Sequence, residues 1–235
     1  MTPGYQPERP VANRIRGVVM RALGLLDVLL IATVLPAGCT VTSEKPVFGP
    51  EETVKMERFQ GEYFLYDPWD KDLNKEVVAS VRDGELEIVN VVDCREREKC
   101  FWRAVVVRLP TSKESYAVQL PLKDDDEEVF FTFVQAIKDY GIACIGIDED
   151  WYKQHTDLIK NIVAASGLEV ASRKYNPVFI TGSPEPEHVL QFLDEVWSKV
   201  PREAWSCFGL IPDGKPVDGI REILNRTAYG AAGEG

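Results

Sequence analysis

Two runs decide the fold class: Phe101-Trp102-Arg103-Ala104-Val105-Val106-Val107-Arg108-Leu109 and, after the break at Pro110-Thr111, Ser115-Tyr116-Ala117-Val118-Gln119-Leu120-Pro121-Leu122. Their apolar residues recur every second position, the period of a strand and not the 3.6 of a helix. Tyr116, Val118, Leu120 and Leu122 form a drier face than Ser115, Ala117, Gln119 and Pro121. One side of that strand therefore meets a core. Both faces of the first run are mostly apolar, as in a central strand covered on two sides.

Outward from this pair the same period predicts strands over 59–66, 76–82, 85–92, 129–137 and 142–147, separated by turn signals such as Asp67-Pro68, Asp83-Gly84 and Asp139-Tyr140-Gly141. Short links make consecutive strands antiparallel. After Ile147 the period changes. Asp148 or Asp150 can cap a helix whose stripe is Trp151, His155, Leu158, Ile159, Ile162 and Val163, with Gly167 just past its end. A second helix is marked by Ser183 as N-cap, Pro184 in the first turn, and Val189, Phe192, Leu193, Val196 and Trp197 on one face up to Pro201. A short strand over 178–181 lies between them. The expected architecture is α+β: an antiparallel, curved or barrel-like meander followed by two C-terminal helices packed on one face or end. The opening Phe59-Gln60-Gly61-Glu62-Tyr63 resembles the Gly-x-aromatic start of lipocalin-like barrels.

The N-terminal region is of a different kind. Arg9, Arg14, Arg16 and Arg21 form a basic start, the stretch 22–37 is apolar apart from Gly24, Asp27, Thr33 and Pro36, and it closes in Ala37-Gly38 directly before Cys39. A charged beginning, an apolar middle of this length and small residues at the end describe an export signal. With Cys39 at the junction, Leu35-Pro36-Ala37-Gly38-Cys39 resembles a bacterial lipoprotein signal, with Pro36 where that family has Leu. The resemblance implies cleavage before Cys39 and acylation of its thiol, with palmitate among the acyl groups. It also implies that Thr40, in place of the Asp that retains lipoproteins at the inner membrane, favours the outer one. The order of the later elements likewise resembles uncharacterised bacterial lipoproteins, for which no activity is implied. A transmembrane anchor is the competing reading, but 22–37 is shorter than the about 20 residues a span needs.

The expected division is a signal over 1–38, a lipidated tether over 39–57, one globular domain over 58–224 and a disordered tail over 225–235. Over the 235 residues, 27 Lys and Arg face 38 Asp and Glu, a net charge of −11. Removing the four basic and two acidic residues of 1–38 takes it to −13. That balance argues against a nucleic-acid partner, whose binding needs excess cations.

Setting Cys39 aside leaves Cys94, Cys100, Cys144 and Cys207, an even number that suits an oxidising compartment. Cys94 and Cys100 flank the charged stretch 95–99 and sit at the two ends of a hairpin loop; Cys144 and Cys207 pair only by elimination, and four cysteines allow three connectivities. Neither CxxC spacing nor a Gly-x-Ser-x-Gly or His-Glu-x-x-His motif occurs, so no catalytic, cofactor or metal residue is assigned. His155 and His188 read as helix-edge histidines, and the acidic runs 124–128 and 148–150 as a solvated turn and a helix N-terminus. Tyr63, Tyr66 and Trp69 crowd near Asp67-Pro68, where a loop can present aromatics to a ligand or partner. The expected function is a lipid-anchored cell-envelope protein, its domain in the periplasm or at the cell surface, binding a partner or ligand or serving assembly without catalysis. The alternatives are a periplasmic hydrolase working through clustered carboxylates and a signal-anchored membrane protein without lipid.

Overall fold

The alternation that sets Tyr116, Val118 and Leu120 apart from Ala117 is realised in two separate hydrophobic clusters, one on each face of a large sheet. The structure, a computed structural model, describes residues 38–39, 41–56, 59–68, 73–89, 101–121, 128–173 and 178–229. The strands are β1 (Gly38–Cys39), β2 (Val41–Ser43), β3 (Gly61–Tyr66), β4 (Leu73–Arg82), β5 (Glu85–Val89), β6 (Phe101–Arg103), β7 (Val105–Arg108), β8 (Ser115–Pro121), β9 (Val129–Ile137), β10 (Tyr140–Asp148), β11 (Val170–Ala171), β12 (Val178–Ile180) and β13 (Trp205–Pro212). The helices are α1 (Glu149–Gln154), α2 (Thr156–Ser166), α3 (Pro186–Lys199) and α4 (Val217–Tyr229).

Neighbouring strands run in the order β11-β12-β2-β9-β10-β13-β3-β4-β5-β6, with β8 on the other side of β9, β7 beyond it, and β1 against β10. The consecutive pairs β3–β4, β4–β5, β7–β8, β8–β9 and β9–β10 are antiparallel, as short links require. At the β4–β5 turn Asp83 and Gly84 both take positive φ, 52° and 82°, the backbone of a tight two-residue hairpin.

The expected curved or barrel-like antiparallel meander with two helices is corrected on three counts. The sheet is mixed, because β12 runs parallel to β2. It is open, ending at β11 on one side. Four α-helices accompany it among the described residues. The physical reason is that distant segments enter the sheet: β13 lies between β10 and β3, and β2 lies between β9 and β12. The single helix expected after Ile147 is two, separated at His155, where the Thr156 hydroxyl donates to the carbonyls of Tyr152 and Lys153, both 3.1 Å away. The N-cap of α3 is Glu185 with Pro186 opening the helix, two residues later than Ser183-Pro184.

Within the stretch 39–57, expected as a tether, the described residues 41–56 belong to the fold. Val41, Thr42 and Ser43 are buried between two strands, and Phe48 and Met56 are buried in the two cores. Nor does the fold end at residue 224, since α4 runs to Tyr229; 230–235 lie outside the described residues.

The helical face of the sheet carries the larger core. Phe133 of β9 stacks on Trp197 of α3 with ring centroids 5.0 Å apart, and meets Trp205 of β13 edge-on at the same distance. Val189, Phe192 and Leu193 of α3, Ile159 and Ile162 of α2, and Ile220 of α4 complete it, all at most 2% exposed. Burying each such side chain contributes about 1.5–3 kcal/mol. Helix α4 comes so close to β13 that a Cβ at Gly209 would collide with Ile220.

Candidate functional site

Cys39 is the residue on which the sequence reading turns, and its backbone is part of the sheet. Gly38 is the antiparallel partner of Asp148 and Cys39 that of Ile147. One residue, Thr40, separates Cys39 from β2, where Val41, Thr42 and Ser43 pair with Phe131, Phe130 and Val129. The chain beyond β2 is held by Gln119 of β8: its Oε1 accepts from the backbone N–H of Val47 (2.8 Å) and Phe48 (3.0 Å), and its Nε2 donates to the Phe48 carbonyl (3.0 Å). Val54 N–H then donates to the Val106 carbonyl and Met56 N–H to that of Gly84, both at 2.8 Å. Gln119, which sequence patterning placed on the wetter face of its strand, is 5% exposed, with both its amide oxygen and its amide nitrogen engaged.

Cys144 and Cys207 form a disulfide between directly opposed residues of β10 and β13. Cys144 is wholly buried. Cys94 and Cys100 lie outside the described residues.

Of the three aromatics near Asp67-Pro68, two are described, and neither is presented to solvent. Tyr63 is 3% exposed in the core between β3, β4, β8 and β13, where burial pushes its hydroxyl up to about 12. Tyr66 is 2% exposed in the opposite, helical core, and its hydroxyl accepts from Arg221 Nε of α4 at 3.2 Å. Both are core tyrosines, and Trp69 lies outside the described residues. A strand alternates its side chains, so two tyrosines three residues apart cannot share one face without a bulge.

The chemistry-bearing residues are dispersed. His155 is exposed and stacks on Trp151 at 4.2 Å, its Nδ1 donating to the Trp151 carbonyl at 2.9 Å. His188 is exposed on α3. Asp148 caps α1 by accepting from Trp151 N–H at 2.8 Å, while Glu149 and Asp150 pair with Lys153. Asp194, buried on the inner side of α3, accepts from the Thr111 hydroxyl at 2.6 Å and its N–H at 3.2 Å, tying the β7–β8 loop to the helix. Among the described residues no three His, Cys, Asp or Glu converge in a metal-holding arrangement. Of the run 124–128 only Glu128 is described, paired with Arg173 at 2.8 Å.

One cation stands out that sequence reading did not single out. Arg202, in the turn Arg202–Ala204 before β13, lies with its guanidinium carbon 3.6 Å from the centre of the Trp197 ring and donates to Gln135 Oε1 at 2.7 Å. It is half-buried, and burial lowers it to about 10. No carboxylate pairs with it among the described residues, although the chain is strongly acidic. An aromatic shelf below, an amide to one side and unused N–H donors form a place that can accept a carboxylate or phosphate oxygen. The only sequence signal was an Arg directly after the helix-stopping Pro201.

Among the described residues no helix is long and apolar enough to cross a membrane. Compared with family models, with curated proteins and with solved structures, the chain finds no match.

Proposed function

We propose that this chain is a cell-envelope lipoprotein, exported, cleaved before Cys39 and acylated on that thiol, whose domain binds a partner or ligand without catalysis. The structural observation that carries the reading is the Cys144–Cys207 bond, because such bonds persist in oxidising compartments outside the cytoplasm. The basic start, the apolar stretch and the small residues before Cys39 supply the route there. Thr40 after the Cys favours the outer membrane.

Support for binding over hydrolysis comes from how the polar residues are used. Asp148 caps a helix, Asp194 ties a loop, Glu128, Asp139 and Glu149 pair with Lys or Arg, and among the described residues no three carboxylates, histidines or cysteines gather in a metal-holding arrangement. The Arg202 guanidinium on Trp197, by contrast, is a cation with donors to spare. The group it would hold on a ligand or partner is a carboxylate or phosphate.

The test is incorporation of labelled palmitate by cells producing the wild type or Cys39→Ser. The reading expects label in the wild-type chain and none in the variant. A wild type without label, or a variant that keeps it, overturns it.

A further inference from the structure

Lipoproteins are commonly pictured as domains swinging on a flexible leash, but this chain leaves no length for one. Cys39 is itself paired with Ile147, and the next described residue, Val41, is 5% exposed inside the sheet. The one residue between them spans at most about 3.5 Å. Neighbouring strands lie about 4.8 Å apart, so the Cys39 backbone lies one strand spacing from β10. The headgroup layer of one leaflet is only about 5–8 Å deep.

What lies at that point is α1. Asp148, next along β10 from Ile147, the partner of Cys39, is its N-cap, so the helix starts beside Cys39. Trp151 and Tyr152 of α1 are half-buried, leaving aromatic surface beside the acylated residue. Trp and Tyr favour the headgroup depth, where an apolar ring meets polar surroundings. The face is not basic: Lys153 is matched by Glu149 at 2.7 Å and Asp150 at 3.7 Å. It therefore suits a zwitterionic headgroup layer better than an anionic one, which would repel the acidic residues.

We infer that acylation of Cys39 seats the domain directly on the bilayer in one orientation, with α1 in a zwitterionic headgroup layer. This rests on the lipid-anchor reading above. The pairing of Cys39 with Ile147 and of β2 with β9 fixes the orientation, so the rest of the domain, Arg202 included, is presented at a constant angle rather than sampled.

The experiment uses the acylated protein extracted from its own membrane, its acyl mass confirmed, in phosphatidylcholine vesicles brominated near the start of the acyl chains. Tryptophan quenching is compared between wild type and Trp151→Phe. The wild type is expected to lose a larger fraction of its fluorescence, and eight Gly and Ser residues inserted after Cys39 should bring that loss down to the level of the variant. Equal quenching of acylated wild type and Trp151→Phe, or quenching that survives the insertion, overturns the seating while leaving the lipid anchor intact. A chain with no acyl mass overturns the anchor reading and the seating with it.

Discussion

Cys144 and Cys207 face each other across β10 and β13 with Cα atoms 4.0 Å apart, and their bond closes a loop of 63 residues. That loop contains α1, α2, β11, β12 and α3, so the bond joins the two strands from which this segment leaves and to which it returns. In the chain-entropy account a loop of this size contributes about 4 kcal/mol by constraining the unfolded chain. The double variant Cys144→Ala and Cys207→Ala should unfold in urea with that much less stability. An unchanged midpoint would mean that the unfolded chain is already constrained there by other contacts.

Tyr63 sets an alkaline limit. Its pKa is raised from 10.0 to about 12 in the fold by burial, so between those values the unfolded chain loses a proton the folded chain keeps. Stability tied to Tyr63 is thus complete below pH 10 and lost as pH climbs to about 12, about 2–3 kcal/mol in all. Arg202 works oppositely in the overlapping window: burial lowers its pKa from the usual guanidinium range to about 10, so above pH 10 the fold sheds a charge it holds at a cost. Tyr63→Phe removes the first effect alone. Its stability between pH 10 and 12 should fall less steeply than that of the wild type, and parallel curves would show that Tyr63 ionises freely in the fold.

Gln119 should be the latch of the N-terminal strand. Gln119→Ala leaves two N–H groups and one carbonyl of residues 47–48 without partners. Each buried orphan costs about 1–3 kcal/mol. Amide exchange at Val47 and Phe48 should accelerate far more than at β10. Protection that is unchanged at both positions would show that β2 alone holds the segment.

Gly209 and Ile220 should be coupled. Gly209→Ala drives a Cβ into Ile220 and is expected to cost about 1–3 kcal/mol, the usual range for overpacking. In an Ile220→Ala background the same change should cost little. Additive costs in a double-mutant cycle would contradict the close approach of α4 to β13.

The strands β3 to β10 were legible because period-2 runs were bounded by turn residues, as at Asp83-Gly84 and Asp139-Tyr140-Gly141, except that the run expected as one strand over 101–109 is two, broken at Ala104, with β6 pairing β5 and β7 pairing β8. Three elements were not. Val41–Ser43 is too short to show a period and lies in a stretch rich in turn-forming residues, so it reads as a tether until Phe131 and Val178 are seen on either side. In Trp205–Pro212 the alternation is interrupted by Gly209, placed there because α4 needs the room. The face of α4 buries Ile220 and Leu224 among charged neighbours, with glycine at 219, which weakens the helical signal. The aromatics Tyr63 and Tyr66 looked like one cluster because they are near in sequence; the sheet sends them to opposite cores. Arg202 carried no recognisable motif, since its environment is made by Trp197, five residues earlier, and by Gln135, on another strand.

The most direct test of the account is the intact mass of the protein extracted from its native membrane, measured beside Cys39→Ser. A chain beginning at Cys39 and carrying acyl mass, absent from the variant, is the predicted result. A wild-type chain that keeps residues 1–38 and carries no acyl group would contradict it.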